Sequence, residues 1–221
     1  LSPRETPAHL LVVGSGAIGI EFASFYRSLG AEVAVVEVAP RILPVEDEDI
    51  AEAARKQFAK RGIAFRTGTT VARLDRDAGG VTVHLRPADG AEESLRVSHV
   101  LVAAGVVANS EWLEGSGVAV ERGVVTVDAQ CRTNLPGVHA IGDLAGGPML
   151  AHKAEHEAVI CVESIAGLRP HALNRDRIPG CTYADPQIAS VGLTEARARE
   201  NGRDIRVGKF PFLANGKAIA L

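Results

Sequence analysis

The stretch LLVVGSGAIGIEFASFYRSLGAEVAVVEV, residues 10–38, decides the fold. Its apolar start predicts a short buried strand that ends in the glycine turn Gly14–Gly19. Apolar side chains then recur at helical spacing up to Gly30, where glycine favours the end of a helix. A valine-rich run follows and predicts a second strand. A strand, a GxGxxG turn, a helix and a second strand together predict a dinucleotide-binding unit.

Each glycine of this turn has a separate physical purpose. Gly14 permits the tight turn, Gly16 lets the backbone approach a pyrophosphate, and Gly19 lets the helix pack closely on the strand. The phosphates would then meet the free N–H groups and the partial positive charge of the helix N-terminus. The alternative is a glycine-rich turn without a ligand, which the full strand–turn–helix context makes the weaker interpretation.

An acidic residue stands where such a unit needs one. Glu37 follows Gly19 by 18 residues, at the end of the second predicted strand. A carboxylate there accepts hydrogen bonds from the adenosine ribose and repels a 2′-phosphate. Residues 38–44 contain one base, Arg41, and no basic cluster. The sequence therefore favours NAD over NADP, the alternative for Glu37 being a solvated acid at a strand end.

The rest of the chain extends this pattern and then leaves it. Residues 45–62 predict a second helix, with acids in its first turn and bases in its last, and a third strand follows. Residues 69–100 alternate in polarity and are broken by turns, which predicts three antiparallel strands in place of a crossover helix. The fold class is therefore α/β: a Rossmann-like NAD domain with an antiparallel β-meander crossover.

Two further units follow this domain in our division of the chain. The NAD-binding domain covers residues 1–108 and includes the apolar run VLVAAG, which we expect to rejoin the parallel sheet. Residues 109–170, with short strands, turns and a helix ended by Gly167, form a second unit. Residues 171–221 begin a third, α+β unit for which we expect a strand, a helix and a strand, truncated at the chain end.

Composition excludes several classes of protein. The net charge of −3 gives no electrostatic basis for binding nucleic acid or an anionic membrane. No apolar run reaches the roughly 18 residues of a membrane span, and we expect no signal peptide because residues 1–10 lack an apolar h-region. The chain does not begin with Met, so we expect a piece of a longer protein. Three cysteines without a close pair, Cys131, Cys161 and Cys181, fit a reducing compartment, which we expect to be the cytoplasm, a mitochondrial matrix being equally compatible.

Several motifs in order resemble one family, the pyridine nucleotide–disulfide oxidoreductases. The first motif is the opening stretch extended through APRILPVEDEDI, residues 10–50. The second is TNLPGVHAIGDLAGGPMLAHKAEHEAV, residues 133–159. The third comprises IPGCTYADPQIASVGLTEARA, residues 178–198, and FPFLANGKAIA, residues 210–220. The resemblance covers essentially all 221 residues. It is strongest to the branch that oxidises dihydrolipoyl groups with NAD⁺ through FAD. It implies that residues 109–170 return to the FAD domain and that residues 171–221 open the dimer-interface domain.

The resemblance assigns cofactors to named residues. For NAD it implies that the pyrophosphate faces Gly14, Gly16, Ala17, Ile18 and Gly19. Glu37 would bind the adenosine ribose, and Val71 would lie near the adenine. Ala104 and Gly105 would form the loop against the dinucleotide, and Glu21 would lie near the nicotinamide and the flavin ring. NADP-using relatives carry arginine at the positions of Val38 and Pro44, which agrees with the charge argument. After VLVAAG, residues 106–109 depart from the family pattern, which weakens any expectation of an arginine contact there.

The second motif is implied to bind FAD. Asp143, after Gly142, would bond the ribityl chain, and the backbone N–H groups of Met149, Leu150, Ala151 and His152 would face the pyrimidine edge of the flavin. A helix N-terminus at that edge stabilises negative charge. Taken without the resemblance, Asp143 could simply cap a turn and His152 could be an ordinary surface or core histidine.

A zinc site is the competing interpretation of the same segment. HKAEH, residues 152–156, fits the H-x-x-E-H pattern, which would place His152 and His156 on one helix face with Glu155 as base. No third ligand is identifiable, and the segment already fits the flavin motif. We therefore expect no metal.

The resemblance also implies chemistry that this chain lacks. In the family, electrons pass from dihydrolipoamide to a CxxxxC disulfide, then to FAD and NAD, with a His–Glu pair as base. The chain has neither motif, so we expect no catalytic residue in it, weak NAD binding and no turnover by this piece alone. The implied partners are dihydrolipoyl groups, the E2 core of 2-oxoacid dehydrogenase complexes and a second copy of the protein. The alternatives are another flavin–disulfide reductase, such as mercuric reductase, or a non-catalytic dinucleotide-binding module.

Overall fold

The computed structural model describes residues 3–220, so the predicted domain limits at residues 1 and 221 lie outside the described residues. In chain order the strands and helices are β1 His9–Val13, α1 Ala17–Ser28, β2 Glu32–Val36, α2 Glu48–Lys60, β3 Ile63–Arg66, β4 Thr69–Asp77, β5 Gly80–Pro87, β6 Glu93–Val97, β7 His99–Val102, β8 Val120–Glu121, β9 Val124–Val125, α3 Ala151–Ile165, β10 Gly180–Thr182, β11 Ile188–Ser190, α4 Glu195–Glu200 and α5 Gly216–Ala220.

A four-stranded parallel sheet organises the first half of the chain. Its order is β3–β2–β1–β7, so β1 lies between β2 and β7, and all its pairs are parallel. The chain therefore moves outward from β1 to β3 and then returns to the other side of β1. Strand order reverses at this point, which in open α/β sheets is where ligands bind, beyond the carboxyl ends of the strands.

The central strand β1 is apolar because both of its faces are covered. Leu10 and Val12 pack with α1 and α2 on one face, whereas Leu11 and Val13 pack with the antiparallel strands on the other. Successive side chains of a strand point to opposite faces, so one continuous apolar run serves two cores. The second core is built around Val83 and Leu85 of β5 and Val97 of β6.

The predicted antiparallel insertion is confirmed. Strands β4, β5 and β6 form a three-stranded sheet in that order, and β6 is followed at once by β7 of the parallel sheet. A β-bulge between Val71 and Arg73 interrupts the pairing of β4 with β5. The meander therefore stands where a crossover helix would otherwise cover the sheet.

The predicted helices also form, for the reasons given by their sequences. Helix α2 has Glu48 and Asp49 in its first turn and Lys60 in its last, which complements the helix dipole. It buries Ala54 and Phe58 against the sheet. Helix α1 ends beside Gly30, whose φ of +95° is the left-handed conformation that glycine accepts.

The final segment differs from the prediction. A strand, a helix and a strand were expected in residues 171–221, but a short antiparallel hairpin of β10 and β11 precedes α4, and no strand lies between residues 203 and 220. The expected last strand is therefore wrong for the described residues. A strand requires a hydrogen-bonded neighbouring strand, and no described strand pairs with residues 203–211. The contact of this segment with α2 is an ion pair between Lys209 and Asp49.

Among residues 3–220, no helix combines the length and the apolar character that crossing a bilayer requires.

Candidate dinucleotide site and flavin-facing loop

The glycine turn is packed so tightly that two of its glycines cannot carry a side chain. Gly14 has a φ of +101°, and a Cβ atom there would lie 2.4 Å from the Ala103 carbonyl oxygen. A Cβ atom at Gly19 would lie 2.0 Å from the Gly14 carbonyl oxygen. Both positions therefore require glycine for close approach of the backbone, as the sequence predicts.

The third glycine is different because the space beside it is open. A Cβ atom on Gly16 would meet no protein atom within 4 Å, and its φ of −66° is available to any residue. Gly16 is the N-cap of α1, and no side chain caps the helix. Ala17 and Ile18, the first helical residues, flank an open helix N-terminus with free N–H groups and partial positive charge.

Glu37 lies directly beside this turn. It is only 8% exposed, and its Oε2 accepts hydrogen bonds from the Ser15 hydroxyl at 2.6 Å and the Ser15 N–H at 2.9 Å. Its Oε1 accepts the Ala39 N–H at 2.8 Å. Burial alone would raise the pKa of this carboxyl, but the hydrogen bonds outweigh burial and lower it below 4.5. Glu37 is therefore a fixed carboxylate at neutral pH.

Three strand ends meet at this edge of the sheet. Val13 of β1 is paired with Val36 of β2 on one side and Val102 of β7 on the other. The Gly14 N–H donates to Val36 O at 2.8 Å, and the Ala103 N–H donates to Val13 O at 2.7 Å. The turn, Glu37 and the segment after β7 therefore share the carboxyl edge of the sheet.

The remaining residues expected near NAD occupy different places around this edge. Ala104 and Gly105 follow β7 and are exposed, with a φ of +130° at Gly105. Val71 is half-buried against the meander core, two residues after Thr69, whose N–H donates to Glu37 O at 3.0 Å. These positions adjoin the site, but contact with a dinucleotide stays a prediction for each of them.

Glu21 has a partner that the sequence did not indicate. Its Oε1 accepts the backbone N–H of Tyr183 at 2.8 Å, so α1 is tied to the hairpin segment near the end of the chain. The side chain is half-buried, and the bond uses one of its two carboxylate oxygens. The expected position near the nicotinamide stays a prediction.

The second predicted site is a short helical loop that leads to α3. Gly142, with a φ of +71°, begins a 3₁₀ turn over Gly142–Ala145. The neighbouring Asp143 is exposed, and its carboxylate makes no hydrogen bond or ion pair with residues 3–220. A charged side chain that faces solvent beside a tight turn is available to a ligand.

Helix α3 starts without a side-chain cap. Met149 and Leu150 are half-buried before it, and Ala151 begins it with free backbone N–H groups. His152 Nε2 donates to the Pro179 carbonyl oxygen at 2.8 Å, so this ring nitrogen is bonded to the segment just before β10. Glu155 and His156 are exposed. Across the described ranges, no three His, Cys, Asp or Glu side chains converge as a metal site would require.

A buried ion pair on α3 was not predicted. Lys153 is fully buried, and its Nζ lies 3.1 Å from the Glu157 carboxylate. The same Nζ donates to Gly142 O at 2.9 Å and Gly146 O at 2.6 Å, and the Gly142 N–H donates to Glu157 Oε2 at 2.8 Å. Opposite charges at i and i+4 inside an otherwise small and apolar helix face are the sequence signal that could have indicated it.

The cysteines have no redox partner here. All three are free, with Cys131 and Cys161 buried and Cys181 exposed. Burial, with help from nearby Glu157, raises the pKa of the Cys131 thiol to about 11. Because the thiolate is the nucleophile in thiol chemistry, Cys131 is poorly suited to such a reaction at neutral pH.

Comparison with known proteins gives one consistent result. The family profile described as pyridine nucleotide-disulphide oxidoreductase matches residues 1–158. The profile for the dimerisation domain of the same proteins matches residues 178–221.

Curated relatives share one name. The dihydrolipoyl dehydrogenase of Rhizobium etli is 55% identical over 224 aligned residues, which are 100% of this chain and 47% of the relative. That of Zymomonas mobilis is 54% identical over 223 aligned residues, covering 100% of this chain and 48% of the relative. The chain thus spans about half the length of the curated relatives it matches.

Solved structures agree on the fold. LpdA from Mycobacterium tuberculosis superposes with a TM-score of 0.86 at 31% identity, over 99% of this chain and 47% of LpdA. The HOCl-induced flavoprotein disulfide reductase RclA from Escherichia coli, as its Cu(II) complex, superposes with a TM-score of 0.88 at 31% identity, over 99% of this chain and 49% of RclA.

Proposed function

This chain belongs to the pyridine nucleotide-disulphide oxidoreductases, and from that premise we propose that it is the NAD-binding and flavin-contacting part of a dihydrolipoamide dehydrogenase. Membership of the family implies NAD and FAD as cofactors. The relatives from Rhizobium etli and Zymomonas mobilis, both called dihydrolipoyl dehydrogenase, support the narrower assignment. In this proposal residues 1–108 bind NAD, residues 109–170 contact FAD, and residues 171–221 belong to the dimer interface.

The observation that carries the NAD assignment is the contrast within the glycine turn. Gly14 and Gly19 face backbone atoms, whereas Gly16 faces open space at an uncapped helix N-terminus. That combination gives a pyrophosphate both room and donors, since the free N–H groups and the helix dipole favour an anion. Glu37 Oε1 accepts the Ala39 N–H at 2.8 Å, and as an ionised carboxylate oxygen with more than one lone pair it suits a further hydrogen bond from a ribose hydroxyl.

The preference for NAD over NADP rests on charge. A 2′-phosphate would stand beside the ionised Glu37, and Val38 places no cation there. The nearest following base, Arg41, donates to the Pro44 carbonyl oxygen at 3.0 Å. We therefore propose NAD as the dinucleotide.

The residues of the second site fit an FAD molecule in a complementary way. Asp143 offers an acceptor to a hydroxylated chain, and the uncapped start of α3 offers N–H donors to an electron-rich ring edge. When bound, FAD supplies hydride exchange with the nicotinamide of NAD. The contribution proposed for this chain is to bind and orient the two cofactors.

The thiol chemistry of the reaction is proposed to come from other parts of the protein. None of the three cysteines here lies in a CxxxxC motif, and each is a free thiol. We therefore expect residues 1–221 alone to bind NAD weakly and to show no turnover. The proposed reductant is a dihydrolipoyl group carried by the E2 core of a 2-oxoacid dehydrogenase complex, in a homodimer, within a reducing compartment such as the cytoplasm.

One specific observation favours a second candidate. RclA, called a flavoprotein disulfide reductase, superposes as well as LpdA does, and the residues that would choose the disulfide substrate are not part of either site described above. A reductase for a different disulfide would therefore use the same NAD and FAD residues.

The test uses the complete protein that contains these residues. Calorimetric titration should show NADH binding tighter than NADPH, and NAD⁺ should be reduced with dihydrolipoamide as electron donor. Preference for NADPH would defeat the assignment from Glu37. NADH binding without dihydrolipoamide oxidation, but with reduction of another disulfide, would establish the second candidate instead.

A further inference from the structure

A buried lysine, Lys153, contacts the loop beside the proposed flavin site. Lys153 has no exposed surface, and its Nζ donates to the carbonyl oxygens of Gly142 and Gly146 as well as to Glu157. It is the third residue of α3, where the positive end of the helix dipole disfavours a cation. Both burial and position are therefore costly, and the hydrogen bonds to the loop must offset them.

Glu157, the second member of this ion pair, contacts the same loop. Its Oε2 accepts the Gly142 N–H at 2.8 Å, so both backbone polar groups of Gly142 end on this one ion pair. Arg175 adds weaker bonds to the neighbouring carbonyl oxygens of Ala145 and Gly147 at 3.4 and 3.2 Å, and lies 3.8 Å from Glu157. Side chains of α3 thus hold Gly142 and Gly146, and Arg175, beyond α3, holds Ala145 and Gly147.

We infer that Lys153 and Glu157 are positioning residues for the flavin: they hold Asp143 and the start of α3 in one rigid arrangement that FAD then binds. The inference rests on the proposed function, since it takes the loop to be an FAD site. Asp143 directly follows the residue that the pair holds, and its carboxylate has no partner among residues 3–220. A site held rigidly before binding costs the ligand less ordering on binding.

A purely structural brace is the competing explanation, and it makes a different prediction. Replacement of a buried ion pair by neutral residues of similar volume is often close to neutral for stability. A brace would therefore change the melting temperature and FAD affinity together, or neither. A positioning pair changes FAD affinity without a matching change in the stability of the rest of the protein.

The test is the double variant Lys153→Met/Glu157→Gln in the complete flavoprotein. The glutamine oxygen still accepts the Gly142 N–H, while the loop carbonyl oxygens lose their charged donor. The dissociation constant of FAD, from reconstitution of the apoprotein followed by visible absorbance, should rise about ten-fold or more, the scale of one charge-assisted hydrogen bond. The NADH dissociation constant should stay unchanged.

A matched control is available on α2. Glu52 and Lys56 form an i,i+4 ion pair at 3.5 Å with both side chains exposed, and Glu52 also accepts hydrogen bonds from Arg55 at 2.7 and 2.8 Å. The variant Lys56→Met/Glu52→Gln makes the same chemical change and should leave both dissociation constants unchanged. An FAD dissociation constant of the α3 variant that equals the wild-type value would overturn the inference.

Amide hydrogen exchange of the wild-type apoprotein gives an independent readout. A loop held by the ion pair should protect the Gly142 N–H before any FAD is added, to the level of the α3 amides. Exchange of that amide as fast as in an open loop would also overturn the inference, even if the double variant failed to fold. Failure of the wild-type protein to bind FAD would instead defeat the proposed function.

Discussion

Ser15 and Glu37 lie 22 residues apart in the chain and are joined by two hydrogen bonds, from the Ser15 hydroxyl at 2.6 Å and the Ser15 N–H at 2.9 Å, to one oxygen of the carboxylate. The contact links the middle of the glycine turn to the residue after β2. Both side chains are buried, so the acid that is proposed to accept the ribose is fixed before any ligand arrives. Its charge and its position are therefore properties of the turn as well as of Glu37 itself.

Replacement of Ser15 by alanine should reveal this coupling as a pH-dependent loss of stability. The pKa of Glu37 is lowered in the folded protein, so its hydrogen bonds stabilise the fold above pH 4.5 and cease to do so as pH falls through the lowered value. Without the hydroxyl that pKa should rise, and about 1–2 kcal/mol of unfolding free energy should be lost at neutral pH. Urea unfolding at several pH values measures the difference.

The control for this variant is Ser28→Ala on α1. The Ser28 hydroxyl donates to the Ser24 carbonyl oxygen at 2.9 Å, far from any titrating acid in the turn. Its effect should be small and the same at every pH. A Ser15→Ala deficit that persists undiminished below the pKa of Glu37 would mean that lost packing, and not the carboxylate, explains the change.

Removal of the Glu37 carboxylate should weaken NADH binding. Glu37→Ala should cost about 1–3 kcal/mol of NADH affinity, the scale of a charge-assisted hydrogen bond, while the penalty against NADPH decreases. Calorimetric titration with both dinucleotides measures this. Glu32→Ala, at the exposed start of the same strand, removes a carboxylate that pairs with His9 at 3.4 Å and should leave both affinities unchanged. Equal losses in the two variants would contradict a specific role of Glu37.

Alanine at two glycines of the turn should separate folding from binding. Gly19→Ala places a Cβ atom 2.0 Å from a backbone oxygen, and the forced displacement should cost about 3 kcal/mol or more of stability. Gly16→Ala meets no protein atom within 4 Å and should leave the melting temperature nearly unchanged. It should nevertheless abolish tight NADH binding, because the methyl group occupies the space proposed for the pyrophosphate. A Gly16→Ala protein that binds NADH normally would show that the phosphates lie elsewhere.

The elements that the sequence predicted well are those specified by local patterns. The GxGxxG turn, the apolar spacing of α1 and the polarity alternation of β4–β6 each depend on neighbouring residues, and all of them form. The strand expected near the end of the chain depended on a distant pairing partner, which no local pattern supplies. No described segment pairs with residues 203–211, and that prediction fails.

The candidate site divides in the same way. Gly14, Gly19 and Glu37 could be predicted because their spacing is fixed by the turn and by the length of the helix between the strands. The hydrogen bonds of Ser15 to Glu37 and of Glu21 to Tyr183 could not, because each joins side chains and backbone groups that only the folded chain brings together. The role of Lys153 could not be predicted either, because its bonds to Gly142 and Gly146 form only when the loop folds against α3.

Burial of the apolar side chain of Ile188 should hold the β10–β11 hairpin against α1, whereas the ion pair between Arg61 and Asp185 should contribute little. Ile188 is 8% exposed and packs into the core that contains residues of β1, α1 and α2. Arg61, which follows α2, forms an ion pair with Asp185 between β10 and β11, but both side chains are about half-exposed. Surface ion pairs contribute about 1 kcal/mol or less, whereas truncation of a buried isoleucine costs about 2–5 kcal/mol.

Ile188→Ala should therefore lower the unfolding free energy by about 2–4 kcal/mol and make residues 183–200 the first site of limited proteolysis. Arg61→Ala should change the unfolding free energy by about 1 kcal/mol or less and leave the cleavage pattern as in wild type. Ile188→Val should fall between them, because it removes only one methylene from the contact. If Arg61→Ala released the hairpin as readily as Ile188→Ala, the ion pair would be the main attachment, and high salt should then release the hairpin in the wild-type protein as well.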